Sequence, residues 1–340
     1  MCWWMAVPTL ERSNKYWLSI LLPVYNVQPW LAECLGSILE QADAGVQILA
    51  LDDASTDGSG ALLQQWQQQW PERLQCLQHP VNQGLSAARN SLLDAAQGDY
   101  LWFIDSDDKL LPGAIDHLRT IVQKHTPDMV LCDFAVWREH LRLKHRLRGE
   151  QHRKSFSGPA RTLLHAPNIL LAGLLSAGQL HAWSKIARRT LWQQGVRFPL
   201  GRCFEDMTTI PLLALRAASF WYEPRPWVAY RQRTGSILSG MTAAKALDQS
   251  AALRPLAQAL SGPLPSELAL AFTQQCARNF QGAMRLRPTL PAAEQPAFVQ
   301  QLRADFLVTA PLSPQQWLTA CLQRGWWLRA GKFASLWRHT

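Results

Sequence analysis

Two short acidic runs sit where apolar strands are expected to end. Asp52-Asp53 closes the segment Val46–Leu51, and Asp105-Ser106-Asp107-Asp108 closes Tyr100–Ile104. Glu205-Asp206 follows a turn much further along. One buried carboxylate is costly, and several in one crevice repel each other. A fold that tolerates them must place them at a common mouth and give them a partner: a divalent cation, sugar hydroxyls or a proton to be removed. In an open parallel sheet that mouth lies outside the carboxyl ends of the strands.

The first 135 residues supply such a sheet, because short apolar runs alternate with amphipathic ones. Strands are expected at Trp17–Val24, Val46–Leu51, Leu74–Leu77, Tyr100–Ile104 and Met129–Trp137. Helices are expected at Pro29–Gln41, Gly58–Trp70, Leu85–Ala96 and Pro112–Lys124. Ser55-Thr56-Asp57 reads as a turn and helix cap, and Asp52 and Asp108 also suit turns or caps. Beyond Arg138 a basic run extends to Lys154, and Leu141–Arg148 alternates as a strand with one exposed basic face would. Trp183–Phe198 reads as a helix. Pro211 is best tolerated in a first turn, so a helix is expected to start near Thr208. After Met241 the pattern is helical, broken by prolines.

The 340 residues are 48% hydrophobic and 17% charged, which allows a sizeable core. The net charge of +9 favours an anionic partner without choosing among nucleotide, nucleic acid and membrane. Seven scattered cysteines without a C-x-x-C pair argue against disulfides or a zinc site. No signal peptide is legible at the N-terminus, and no apolar run approaches the ~18 residues that span a bilayer. A cytoplasmic protein is expected, with membrane contact at most peripheral on the cytoplasmic face of the inner membrane. The base-stacking signatures of nucleic-acid modules are missing, so no nucleic-acid partner is expected.

Strand one is not followed by Gly-x-Gly-x-x-Gly, so phosphates are not cradled as in dinucleotide-binding proteins. A carboxylate-lined pocket would repel a diphosphate unless a cation bridged them, and hard oxygen ligands suit Mg2+ or Mn2+. In this setting an ordered set of motifs stands out: Ser19-Ile-Leu-Leu-Pro-Val-Tyr-Asn26, Leu51-Asp-Asp-Ala-Ser-Thr-Asp-Gly-Ser59, Asn82-Gln-Gly-Leu-Ser-Ala-Ala-Arg-Asn90 and Gly98-Asp-Tyr-Leu-Trp-Phe-Ile-Asp-Ser-Asp-Asp108. Phe204-Glu-Asp206 and Tyr230-Arg-Gln-Arg-Thr-Gly-Ser-Ile237 complete it. Together these resemble the family-2 glycosyltransferases of the GT-A fold, over roughly residues 17–240.

The resemblance implies an α/β fold, GT-A type and Rossmann-like, with a mixed, mostly parallel sheet flanked by helices. The chain would divide into an N-terminal extension (1–16), a catalytic domain (17–240) and an α-helical C-terminal region (241–340). Within the catalytic domain, residues 17–135 would take the nucleotide sugar and 136–240 the acceptor. Pro23 and Tyr25 would line the nucleobase slot, with Asp53 bonding the base and Arg89 facing the nucleotide. Asp105 and Asp107 would be the D-x-D pair, the first near the ribose and the metal, the second on the metal. Asp206 would be the catalytic base with Glu205 beside it, and Arg231 and Arg233 would reach the departing diphosphate. The activity implied is inverting transfer of a sugar from a nucleotide diphosphate sugar, a UDP-sugar by preference, to a glycan or lipid-linked hydroxyl in envelope polysaccharide synthesis.

Two positions depart from the family pattern. Ala54 stands where glycine is usual, and Ala187 where an aromatic residue is common. Rival readings are an inactive scaffold of the same fold, or a sugar nucleotidyltransferase. The full carboxylate set argues against the first. The second would want a Gly-rich, basic loop after strand one, which Pro23-Val-Tyr-Asn26 does not offer. Trp183 and Lys185 read as packing and a local ion pair. Near the C-terminus Leu322, Trp326, Phe333 and Trp337 share one helical face. With no Asp or Glu after Asp305, this Trp-rich, basic stretch (313–340) suits either an interfacial membrane helix, joined by Trp3 and Trp4, or a helix packed on the catalytic domain.

Overall fold

The computed structural model describes residues 15–138, 145, 147, 149–232 and 240–338. Most of the N-terminal extension, with Trp3 and Trp4, lies outside them, as does Arg233. So does most of the strand expected at Leu141–Arg148, and the two residues of it that are described, His145 and Leu147, are helical.

Among the described residues nine strands form one mixed sheet: β1 (Leu18–Val24), β2 (Val46–Asp52), β3 (Leu74–Gln78), β4 (Tyr100–Phe103), β5 (Lys109–Leu110), β6 (Met129–Trp137), β7 (Leu163–Leu164), β8 (Lys185–Arg188) and β9 (Phe220–Arg231). The order is β3-β2-β1-β4-β8-β6-β9-β5, with β7 also on β9. Strands β1 to β4 run parallel, and so do β6 and β9. Strand β8 is antiparallel to both β4 and β6 and joins the two parallel sets.

Alternation along the strands builds two cores. Leu18, Ile20, Leu22 and Val24 of β1 face a cluster with Leu31 and Leu35 of α1 (Gln28–Leu39), Leu63 of α2 (Ser59–Gln69) and Leu118 of α4 (Ala114–His125). Leu21 faces the other cluster, with Ala88 and Leu92 of α3 (Leu85–Ala95), Leu170 and Leu174 of α5 (Pro167–Ala177), and Ile210 of α7 (Glu205–Arg216). A strand covered on both faces is apolar at nearly every position, as β1 is.

The second cluster continues into the C-terminal helices α8 (Ala243–Ala251), α9 (Arg254–Ala259), α10 (Ser266–Met284), α11 (Gln295–Thr309), α12 (Pro314–Gln323) and α13 (Trp327–Arg338). Helix α10 packs along α5, and Phe280, Phe306 and Phe333 meet with ring centroids 5.2–6.3 Å apart. Phe333 is fully buried, while Trp326 and Trp337 pack partly buried against this core. The stripe holding those three residues is therefore a packing face. The residues left in solvent are Leu322 (56% exposed), Trp327 (71%) and Leu328 (91%). No helix among the described residues is long and apolar enough to cross a membrane.

Two elements differ from the sequence reading. Trp183–Phe198 is not one helix: a 3-10 turn (Ala182–Ser184) leads into β8 and then the short α6 (Arg189–Gln193). Backbone pairing to strands on both sides overrides local helical preference there. Helix α7 begins at Glu205, with Pro211 inside it. The acidic pair therefore occupies its first turn, where the helix dipole favours negative charge.

Candidate active site

The β1 and β2 ends are tied together. Asp53 N donates to Val24 O at 2.9 Å, and Asn26 Oδ1 accepts from Thr56 N at 2.8 Å. The turn needs left-handed backbone at Asn26 (φ 52°) and Ala54 (φ 57°). Ala54 thus adopts the conformation for which a glycine is usual, and the turn is retained. Pro23 ends this strand region, where its carbonyl accepts from Ser106 Oγ at 2.8 Å, and Tyr25 is 46% exposed at the mouth.

Asp53 is buried and pins the loop that starts α3. Its carboxylate accepts from Gln83 N (2.9 Å) and Gly84 N (2.8 Å), and His79 Nδ1 stands 2.6 Å from Oδ1. A carboxylate has about four acceptor sites. Three are filled here by the described residues.

Arg89 is the hub. Its side chain leaves α3 and is almost wholly buried, with the guanidinium 5.1 Å from the Phe198 ring centroid. Nη2 donates to Asp105 Oδ1 at 2.9 Å, and Nη1 to Glu205 Oε1 at 2.6 Å and Asp206 Oδ1 at 2.7 Å. Burial opposes its charge, yet Asp206, Asp105 and Glu205 outweigh that and hold its pKa above the ordinary value. Burial, followed by the Asp206 charge, lifts Glu205 to about 7 against the pull of Arg89. Burial also raises Asp105, with Asp107 and Asp206 adding to it and Arg89 opposing. Asp206 further accepts from Ala182 N at 3.2 Å through Oδ2.

The loop after β4 is fixed from below. Asp108 Oδ1 accepts from Arg231 N at 2.7 Å, and Oδ2 has no hydrogen-bond partner among the described residues. Burial, then the charges of Asp105 and Asp107, push Asp108 well above the carboxylate range. Arg231 Nε donates to Asp107 O at 2.8 Å and Nη2 to Glu33 at 2.7 Å, while its guanidinium lies 3.7 Å over Trp137.

Among the described residues no three His, Cys, Asp or Glu side chains are grouped to hold a metal ion. Asp105 and Asp107 are two partly exposed carboxylates on one loop. That is the protein share Mg2+ takes when substrate phosphates supply the remaining oxygens. The donor set fits a cation completed by a diphosphate.

Residues 19–172 match the family described as Glycosyl transferase family 2. That stretch belongs to this family. Glycosyltransferase GlyA of Streptococcus pneumoniae serotype 4 is 28% identical over 224 residues, covering 65% of this chain and 31% of GlyA. Minor teichoic acid biosynthesis protein GgaB of Bacillus subtilis is 31% identical over 129 residues, 37% of this chain and 14% of GgaB. The chain thus spans less than a third of either relative. Residues 1–349 of S. aureus TarS, crystallised with UDP-GlcNAc, share the fold: TM-score 0.70 at 17% identity, over 94% of this chain and 90% of that one. The GT-A expectation for the fold holds, including the helical C-terminal region.

Asp105, Arg89, Glu205 and Asp206 come together as one ion cluster. Asp53 follows β2 and Asp107 lies in the loop after β4, the two strands that flank β1. Arg89 turns to carboxylates, and Arg231 to the D-x-D loop and Glu33. Sequence reasoning missed His79, Glu33 and the Ala182 N–H. The Ala182 contact comes from a backbone group, which carries no side-chain signal.

Proposed function

We propose that this chain transfers a sugar, with inversion, from a nucleotide diphosphate sugar to a glycan or lipid-linked hydroxyl in envelope polysaccharide synthesis. The carrying observation is the Arg89 bridge, which joins the D-x-D acid Asp105 to the Glu205-Asp206 pair through one guanidinium. Donor-side and acceptor-side chemistry thereby sit a side chain apart. The fold likeness to a UDP-GlcNAc complex and the likeness to a teichoic acid biosynthesis protein support a UDP-sugar donor and an envelope acceptor.

In this reading Tyr25 and Pro23 hold the nucleobase, and Asp53 accepts its N–H at the remaining site. Asp105 and Asp107 hold Mn2+ or Mg2+ with the diphosphate. When bound, the cation neutralises charge on the leaving group. Asp206 removes the acceptor proton as the hydroxyl oxygen attacks the anomeric carbon, which is typically worth about 10²–10⁴-fold. Glu205, about half protonated at pH 7, lessens the negative charge facing Arg89 while the guanidinium holds Asp206 in place. Arg233, outside the described residues, remains assigned to the diphosphate. A screen of nucleotide sugars with Mn2+ or Mg2+, reading released nucleotide diphosphate, tests the activity. No release from any donor in the presence of glycan acceptors would refute it.

Residues 241–340 are read as a helical region that completes the catalytic domain's core, with cytoplasmic-face membrane contact through Leu322, Trp327 and Leu328. Arg324, Arg329 and Lys332 lie on the same stretch and match anionic lipid in charge. Sedimentation with phosphatidylglycerol vesicles tests this. Equal binding by wild type and a Trp327→Ser, Leu328→Ser double variant would end it.

A further inference from the structure

Three rings stand beside the Glu205-Asp206 pair in near-parallel planes. His181 stacks on Trp183 with centroids 4.8 Å apart and planes 8° off parallel. Trp183 and Tyr230 are 5.6 Å and 14° apart, and His181 and Tyr230 are 6.3 Å and 21° apart. Phe134 meets all three edge-on, at 6.2, 4.8 and 6.4 Å. Trp183 is buried, and its carbonyl accepts from Trp102 Nε1 at 2.8 Å, whereas His181 and Tyr230 are partly exposed. The chain between His181 and Trp183 is Ala182, whose N–H donates to Asp206. The rings and the proposed base are thus positioned by one turn.

We propose that His181 and Tyr230, both stacked on the buried Trp183, form a shelf for the acceptor sugar, a pyranose that lays its axial C–H bonds against these two rings while its hydroxyl faces Asp206. This rests on the glycosyltransferase reading and specifies its acceptor side. Two partly exposed rings 6.3 Å apart and 21° off parallel supply dispersion contact over the width of one sugar ring. Their planes are fixed by Phe134 and by the Trp102 hydrogen bond, so little ordering is left for binding to drive. Burial and the neighbouring Lys185 charge pull His181 down to about 4, so it presents a neutral ring at physiological pH. His181 sets the preference for sugar ring shape, because it is the ring next to the Asp206 contact.

Saturation-transfer NMR on the full chain with Mn2+, UDP and a panel of methyl glycopyranosides reads the shelf directly. The wild type is expected to saturate the ring C–H protons of at least one glycoside. His181→Ala should weaken that glycoside's binding about five-fold, and His181→Phe should restore it. UDP signals should stay unchanged in all three. If UDP saturates and no glycoside does, or if His181→Ala binds the glycoside as the wild type does, the shelf is refuted. If glycosides saturate and UDP does not, the donor reading falls and the shelf stands. Should His181→Ala lose both signals through misfolding, His181→Leu, which keeps the bulk without a ring, takes its place: weakened glycoside binding supports the shelf, and wild-type binding overturns it.

Discussion

Arg89 Nη1 lies 2.7 Å from Asp206 Oδ1, inside a cluster where one cation faces three carboxylates. The cation comes from a helix after strand β3, and the acid from a helix near the end of the sheet. Their pairing makes the proposed base a product of long-range folding, and it sets the cost of removing the cation.

Arg89→Met should leave Asp105, Glu205 and Asp206 facing each other without compensation. Breaking a buried pair from one side costs about 3–5 kcal/mol. Urea unfolding at pH 7.5 should show this loss, and a smaller one at pH 5 where Glu205 is protonated. A wild-type midpoint at both pH values would contradict the assignment.

Glu205 and Asp206 should separate in activity. Asp206→Asn is expected to lower kcat by about 10²–10⁴-fold with donor binding retained. Glu205→Gln should stay within about ten-fold of wild type, because the native side chain is already neutral over much of the neutral range. The reverse order in steady-state rates would exchange the two roles.

The raised Glu205 pKa also makes a stability prediction. The folded state binds this proton more tightly than the unfolded chain. Its stabilising contribution is complete below about 4.5 and is lost as pH rises through about 7. Glu205→Gln removes that loss. Its melting temperature should match wild type near pH 5 and exceed it by several degrees near pH 8, as calorimetry would show.

Ala54→Gly should raise stability. Left-handed backbone costs a non-glycine residue about 1–2 kcal/mol, and part of that is returned as added freedom in the unfolded chain. A net gain of about 0.5–1 kcal/mol is expected in urea unfolding. A loss would mean that the methyl group packs usefully.

Chelation should separate catalysis from folding. With two carboxylates as the protein share, EDTA is expected to abolish transfer and leave the melting temperature of the nucleotide-free protein unchanged. Asp107→Asn should weaken Mn2+-dependent UDP binding, measured by calorimetry, more than metal-free UDP binding. Full activity in EDTA would remove the metal from the mechanism.

The Rossmann-like half was legible because its signals are local. β1 and β2 are short apolar runs, α1 to α4 carry one-sided apolar spacing, and Asp52-Asp53 marks a strand end. Strand β9 was not, since Pro224 and Pro226 argue against a strand. They are absorbed where its register with β6 slips between Cys132 and Phe134. Strand β8 was hidden for another reason: Lys185–Arg188 is held by neighbours on both sides and has little strand character of its own. The acids could be listed from sequence, but their partners could not. Nothing local to Arg89 says that it reaches residues 205 and 206, and the filled state of Asp53 depends on backbone N–H groups at Gln83 and Gly84.

Strand β8 also governs how this molecule can move. Stitched antiparallel between β4 and β6, it joins the two parallel sets into one continuous hydrogen-bonded plate. Such a plate has no seam about which two lobes could rock. Motion at the strand ends is thereby left to the loops above the plate.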